Sequence, residues 1–221
     1  MAEGSALTLC RGHATICLPI GEEEYDAIVE NPKEFRQWLD RCFADMPELF
    51  PEGFARGYRM KDGRDSLKQG VSLRRIALRN DKSCSIRPSF LMPYMTARTE
   101  ESEDALFLRK FGVPFWALAR VFGGDPMGWY RLEIGLGRNS LVGTTVRTAE
   151  LPEHLLGEQH CRAWALLHNF TPWHPATAVA NDDWQSPAER LNGRRYHDNW
   201  LQNLLVSASL GGYRNHPPQN P

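Results

Sequence analysis

Arginines are the residues of this chain whose type and spacing most directly imply chemistry. Arg74, Arg75, Arg79, Arg87 and Arg98 fall within one short stretch, and a guanidinium presents a planar fork of donors that matches phosphate oxygens. Residues 51–98 hold 11 basic and 4 acidic side chains, whereas residues 1–50 hold 4 basic and 10 acidic. The net charge of −1 therefore conceals a basic block beside an acidic one. Such a block suits a polyanion, because each neutralised phosphate releases condensed counterions. The plainer alternative is a solvated basic face that binds nothing.

Other reactive groupings are weaker. Cys10, His13 and Cys17 have metal-like spacing but no fourth ligand, and structural zinc takes four. Cys161 and His168 fall on one expected helix, about 10 Å apart, too far to share a proton. Cys161 reads instead as a small buried hydrophobe. The acids after His160 are Asp182, Asp183, Glu189 and Asp198. Asp182 and Asp183 are neighbours that diverge on a regular element. Glu189 completes a capping box with Ser186, and Asp198 suits the first turn of a last helix. No nucleotide-binding fingerprint occurs.

Positioning these groups falls to short elements. The first ~20 residues read as a loose lead-in. Tyr25, Ile28 and Val29, then Phe35, Trp38, Leu39, Cys42 and Phe43, repeat at helical spacing, with Asn31-Pro32 as cap and first turn between two helices. Residues 51–70 read as a loop. Residues 73–79 and 84–90 form a β-hairpin in which Arg75 and Arg79 project from one face; Pro88 and Pro93 make its second strand an edge or shorten it. A helix with Ser102 as cap ends at Gly112. Two further helices, 115–122 and 126–134, flank Gly123-Gly124-Asp125. That pair has the outline of a helix-turn-helix. The second helix would present Asp125, Pro126, Met127, Tyr130, Arg131 and Ile134 outward, with Arg131 reaching guanine or phosphate and Tyr130 a phosphate. Arg138 follows it. A helix over 161–170 and a last amphipathic helix over 197–210, carrying Trp200, Leu201, Leu204, Leu205 and Ala208, complete the chain.

Composition bounds the rest. With 221 residues, 42% hydrophobic, 7 Trp and 10 Phe, the chain is not a disordered one. No apolar run approaches the roughly 18 residues of a membrane span. The N-terminal residues lack the basic start and apolar core of a secretory signal. Five Cys make no even disulfide framework, which favours a reduced, cytoplasmic protein, nucleoid-associated if it binds DNA.

Longer strings add a resemblance. PELFPEGF (47–54), GYRMKDGRDS (57–66), LRRIALR (73–79), IRPSFLMPYMT (86–96), LFLRKFGVPFWALARVFGGDPMGWYRLE (106–133) and SLVGTTVR with LPEHLL (140–156) resemble the N-terminal half of a group of bacterial insertion-sequence transposases. SPAERLNGRRYHDNWLQNLLVSASLGGYR (186–214) resembles the C-terminal end of the same group. The resemblance implies a DDE-type enzyme: a DNA-binding part, then an RNase H-like core whose three carboxylates bind two divalent metals. In such a protein a long catalytic core follows LPEHLL. Here His160 is followed at once by Cys161-Arg162-Ala163-Trp164, which already resembles the final region. The chain resembles an internally deleted copy.

The expectation is an α+β protein, mainly α. Its parts are an N-terminal helical segment (1–50), a DNA-binding region with basic hairpin and helix-turn-helix (51–137), a linker (138–160) and a C-terminal helical remnant of the RNase H-like domain (161–221), the last loosely docked. Double-stranded DNA at element ends is the expected partner, with Arg74, Arg75, Arg79, Arg87, Arg98, Met127, Tyr130, Arg131 and Arg138 as contacts. Self-association, or association with an intact transposase, is compatible with this; a membrane is not an expected partner. No cofactor is expected. Mg²⁺ enters only under the alternative of a metal-dependent transposase or nuclease using Asp182, Asp183 or Glu189. A last alternative is a protein-interaction module with an exposed seam of Trp200, Leu204 and Leu205, or a truncated product without a selected role.

Overall fold

A computed structural model describes residues 14–51, 53–66, 69–79, 83–93, 97–137, 155–172, 186–192 and 194–208. Cys10, His13, Arg138, Asp182 and Asp183 lie outside these residues. The described chain is α+β, with eight α-helices and six strands.

The central sheet has strand order β1-β6-β5-β2, from Ala14–Leu18 (β1), Tyr58–Met60 (β2), Arg75–Leu78 (β5) and Ser83–Pro88 (β6). Arg64–Ser66 (β3) and Val71–Leu73 (β4) form a separate antiparallel pair. The expected hairpin is present: Arg75 pairs with Ser85, Ile76 with Cys84 and Ala77 with Ser83. Three expectations are corrected. The lead-in contains β1, which runs parallel to β6 with Ile16 opposite Ile86. The loop 51–70 contains β2, β3 and a 3₁₀ turn, Phe54–Arg56. And β6 is shortened, ending at Pro88, and is not an edge, for it pairs on both sides. Pro88 is tolerated there because it is the last residue of the strand. Ile16, Cys17 and Leu18 are all fully buried, so β1 is a strand covered on both faces and carries no alternation.

Helices close over this sheet. In Glu22–Val29 (α1), Tyr25 and Val29 are buried, and the Tyr25 hydroxyl donates to the Ser72 carbonyl at 2.9 Å. In Pro32–Asp45 (α2) the side chain of Asn31 caps the N-terminus, accepting from Lys33 and Glu34 N–H, as the Asn-Pro pair implied. The apolar stripe of α2 buries Phe35, Trp38, Leu39 and Cys42. Burial, with Asp45 close by, pushes the Cys42 thiol up to about 12.

Thr99–Arg109 (α3) starts one turn earlier than Ser102 suggested. Ser102 is buried inside it and donates to the Arg98 carbonyl, while Glu101 accepts the Arg98 backbone N–H. Phe115–Phe122 (α4) and Pro126–Leu136 (α5) follow. Leu155–Phe170 (α6) begins inside the expected linker. Pro187–Asn192 (α7) has the expected capping box: Ser186 N–H donates to Glu189 at 3.0 Å and Glu189 N–H to the Ser186 hydroxyl at 3.3 Å.

Trp200–Ser207 (α8) is not loosely docked, as the C-terminal part was expected to be. Leu201, Leu204, Leu205 and Val206 are fully buried, and the polar Gln202 and Asn203 nearly so. Gln202 accepts from the buried Ser89 hydroxyl at 2.5 Å, and Asn203 donates to Glu189 at 3.2 Å. Trp200, Leu204 and Leu205 therefore form no exposed seam. They belong to one core that runs from Ile16 to Val206. No helix among the described residues is long and apolar enough to cross a membrane.

Candidate nucleic-acid interface

Strand alternation and register together build a basic surface. Arg75, Ala77 and Arg79 share one face of the β5 line. Directly opposed residues also share a face, so Arg59, opposite Ala77, joins them. The ladder continues past β2, where Lys61 N–H donates to the Arg75 carbonyl at 2.8 Å, setting Lys61 beside Arg75. On β6, Ser83, Ser85 and Arg87 complete the row. Lys61 Nζ reaches the Ser83 hydroxyl at 3.1 Å, as a shared face requires. The other face carries Tyr58, Met60, Ile76, Leu78, Cys84 and Ile86 and belongs to the core. Five cations thus share one side of a sheet whose other side is apolar, with Arg87 at the covered end of the row, opposite the fully buried Cys17.

Within this surface Arg59 and Arg79 are exposed, and Lys61, Arg75 and Arg87 half-buried. Arg79 lies across Gly57, which has φ +102; a Cβ there would sit 3.3 Å from Arg79 Nε. Among the described residues no carboxylate pairs with Arg75 or Arg79, and Arg87 Nε is buried without an acceptor.

The other two expected arginines go elsewhere. Arg74 donates from its Nε to the Val29 carbonyl and so closes the end of α1. Arg98 pairs with Glu22 at 2.5 Å and lies 5.3 Å above the Phe90 ring. Both are tied into the fold by these contacts. Arg59 and Lys61 were missed because Gly57 and Gly63 marked their segment as a loop. The signal lay in the alternation Tyr58, Met60 against Arg59, Lys61.

The helix pair has its turn as expected. Gly123 and Gly124 adopt φ +80 and +78, which glycine alone enters freely. Asp125 caps α5, accepting from Gly128 N–H at 3.2 Å, with Pro126 in the first turn. The Trp129 indole N–H donates to the Gly123 carbonyl at 3.0 Å and fastens the turn. Leu118 and Leu132 are buried between the helices and the core. Met127 and Arg131 are exposed on α5. Tyr130 is half-buried, its ring edge-on to Phe115 at 5.5 Å. Ile134, expected outward, is buried, because α5 turns that face against α6.

Behind α5 lies a buried charge. Glu133 is 1% exposed and paired with Arg109 of α3. Arg109 also donates to the Val113 carbonyl at 2.5 Å and lies 4.0 Å over the Phe115 ring. One guanidinium thereby links α3, the α3–α4 turn, α4 and α5. His160 of α6 approaches the other Glu133 oxygen at 4.0 Å.

The remaining reactive candidates are dispersed. The Glu189 carboxylate is occupied by Ser186 N–H, Asn203 and Arg195. Asp198 is on the surface, its side chain fully exposed. Cys161 is exposed rather than buried, since Ala163 and Leu167 take the inward face of α6. His168 stacks on Trp164 at 5.5 Å.

No family model, curated protein or solved structure matches the chain.

Proposed function

We propose that this chain binds double-stranded DNA, as a transposase-like protein that recognises insertion-element ends without carrying out strand transfer. The observation that carries this reading is the row Arg59, Lys61, Arg75, Arg79 and Arg87 on one sheet face, with Arg75 and Arg79 lacking any carboxylate partner among the described residues. Cations held in rows on a rigid sheet suit phosphate oxygens, and phosphate contacts fix register on a duplex. The exposed first turns of α5, with Met127 and Arg131, supply a probe for base edges in a major groove. The resemblance of residues 47–156 to the N-terminal half of insertion-sequence transposases points the same way. Such a protein would compete with an intact transposase for element ends.

The test is retention of labelled duplexes spanning the DNA that flanks its own coding sequence, over a salt series. Each phosphate contact steepens the log–log slope by about −0.9, so five engaged cations give about −4.5. A flat slope, or no retention at low salt, contradicts the proposal.

A further inference from the structure

Of the six exposed large hydrophobic side chains among the described residues, five fall between Phe111 and Met127: Phe111, Trp116, Val121, Phe122 and Met127. Trp116 is 68% and Val121 71% exposed. Their place on α4 is not explained by packing, since Leu118 fills the inward position. Nor do they belong to the groove probe, which is on α5. Arg120 lies one turn beyond Trp116, on the same helix face. α4 contains no acidic residue, and no carboxylate among the described residues pairs with Arg120 or Arg131.

Charge decides what covers this face. A second copy docked through α4 would bring no carboxylate from that helix, so Arg120 would meet no counter-charge across such an interface. An anionic partner meets the guanidinium and the bare indole together. A large aromatic ring beside an unpaired cation is the combination that holds an unstacked nucleobase and its phosphate. A paired duplex hides its base faces, so the ligand must offer an open one.

We propose that Trp116 is a base-stacking site, with Arg120 on the adjoining phosphate, and that the protein prefers DNA in which one or more bases are unpaired. This rests on the DNA-binding reading above and names the form of DNA that α4 selects. It needs no bond made or broken.

The experiment compares one short duplex with the same duplex carrying a few mispaired bases, using the full chain and its Trp116→Ala and Trp116→Phe variants. Trp116 is largely exposed, so neither variant should disturb the fold; circular dichroism confirms this. The wild type is expected to bind the mispaired DNA more tightly. Trp116→Ala should lose about 5- to 150-fold on that DNA, the range for one lost stacking contact, and nothing on the paired duplex. Trp116→Phe should retain most of the preference, because a smaller ring still stacks. Equal loss on both DNAs, or no loss on either, overturns the inference while leaving duplex binding intact. A wild type that binds neither DNA at low salt overturns the DNA-binding reading and this inference with it. A light-scattering mass of twice the monomer that Trp116→Ala returns to one overturns it in favour of a protein interface.

Discussion

Glu133 and Arg109 form a buried ion pair that joins α5 to α3, with the carboxylate 1% exposed. Breaking one partner of such a pair strands the other charge away from water. Glu133→Ala should therefore cost about 3–5 kcal/mol. Replacing both partners with apolar residues of similar size, Glu133→Leu with Arg109→Met, should recover most of that loss. Urea unfolding of the two variants checks it.

Gly137 closes α5 directly against the backbone of α6. A Cβ there would stand 2.9 Å from Ala163 N and closer still to the Gln159 carbonyl. These are backbone atoms that cannot swing aside, so the helices must part. Gly137→Ala should destabilise by at least the ~1–3 kcal/mol of ordinary overpacking. Gly128→Ala, with open space around its Cβ, is the control: within a helix it should be neutral or slightly stabilising.

Leu204 of α8 is fully buried in the common core. Because α8 is integral to that core, Leu204→Ala should cost about 2–5 kcal/mol and lower a single cooperative transition. A loosely docked tail would instead leave the main transition where it was. Calorimetry distinguishes the two.

Glu103 of α3 accepts a hydrogen bond from the Asn199 side chain, the residue that caps α8. Burial, then Asp104 and Glu100, raise its carboxyl from 4.5 to about 7. The folded form thus keeps a proton that the unfolded chain releases near the usual carboxyl value. That contribution is full below about 4.5 and is lost as pH rises through 7. His197, two residues before Asn199, is shifted downward by burial, so its contribution runs the other way and is lost as pH falls. Glu103→Gln keeps the acceptor and removes the charge. It should melt higher than the wild type at pH 8, with the difference vanishing near pH 4.

What the sequence yielded depended on whether its signals were local. The Asn31-Pro32, Asp125-Pro126 and Ser186-Pro187 caps all stand where the residues placed them, because a cap acts within one turn. The shared face of Arg75 and Arg79 followed from alternation alone. The strand β1 did not show: its partner β6 lies far along the chain, and a doubly buried strand has no alternation to read. The partners of Arg74 and Arg98 did not show for a related reason. Nothing adjacent in sequence reveals that their guanidinium groups meet Val29 and Glu22 across the fold. Likewise, the burial of α8 on every side is set by β1, α3 and α6 together.

DNA binding by the basic sheet face is tested by its salt dependence in an Arg75→Ala, Arg79→Ala double variant, with Arg74→Ala as the comparison. The double variant should lose about two phosphate contacts, so its log–log slope becomes shallower by about 1.8. Arg74→Ala should lower the melting temperature and leave the slope unchanged. Identical slopes for the wild type and the double variant would contradict the claim that this sheet face holds DNA.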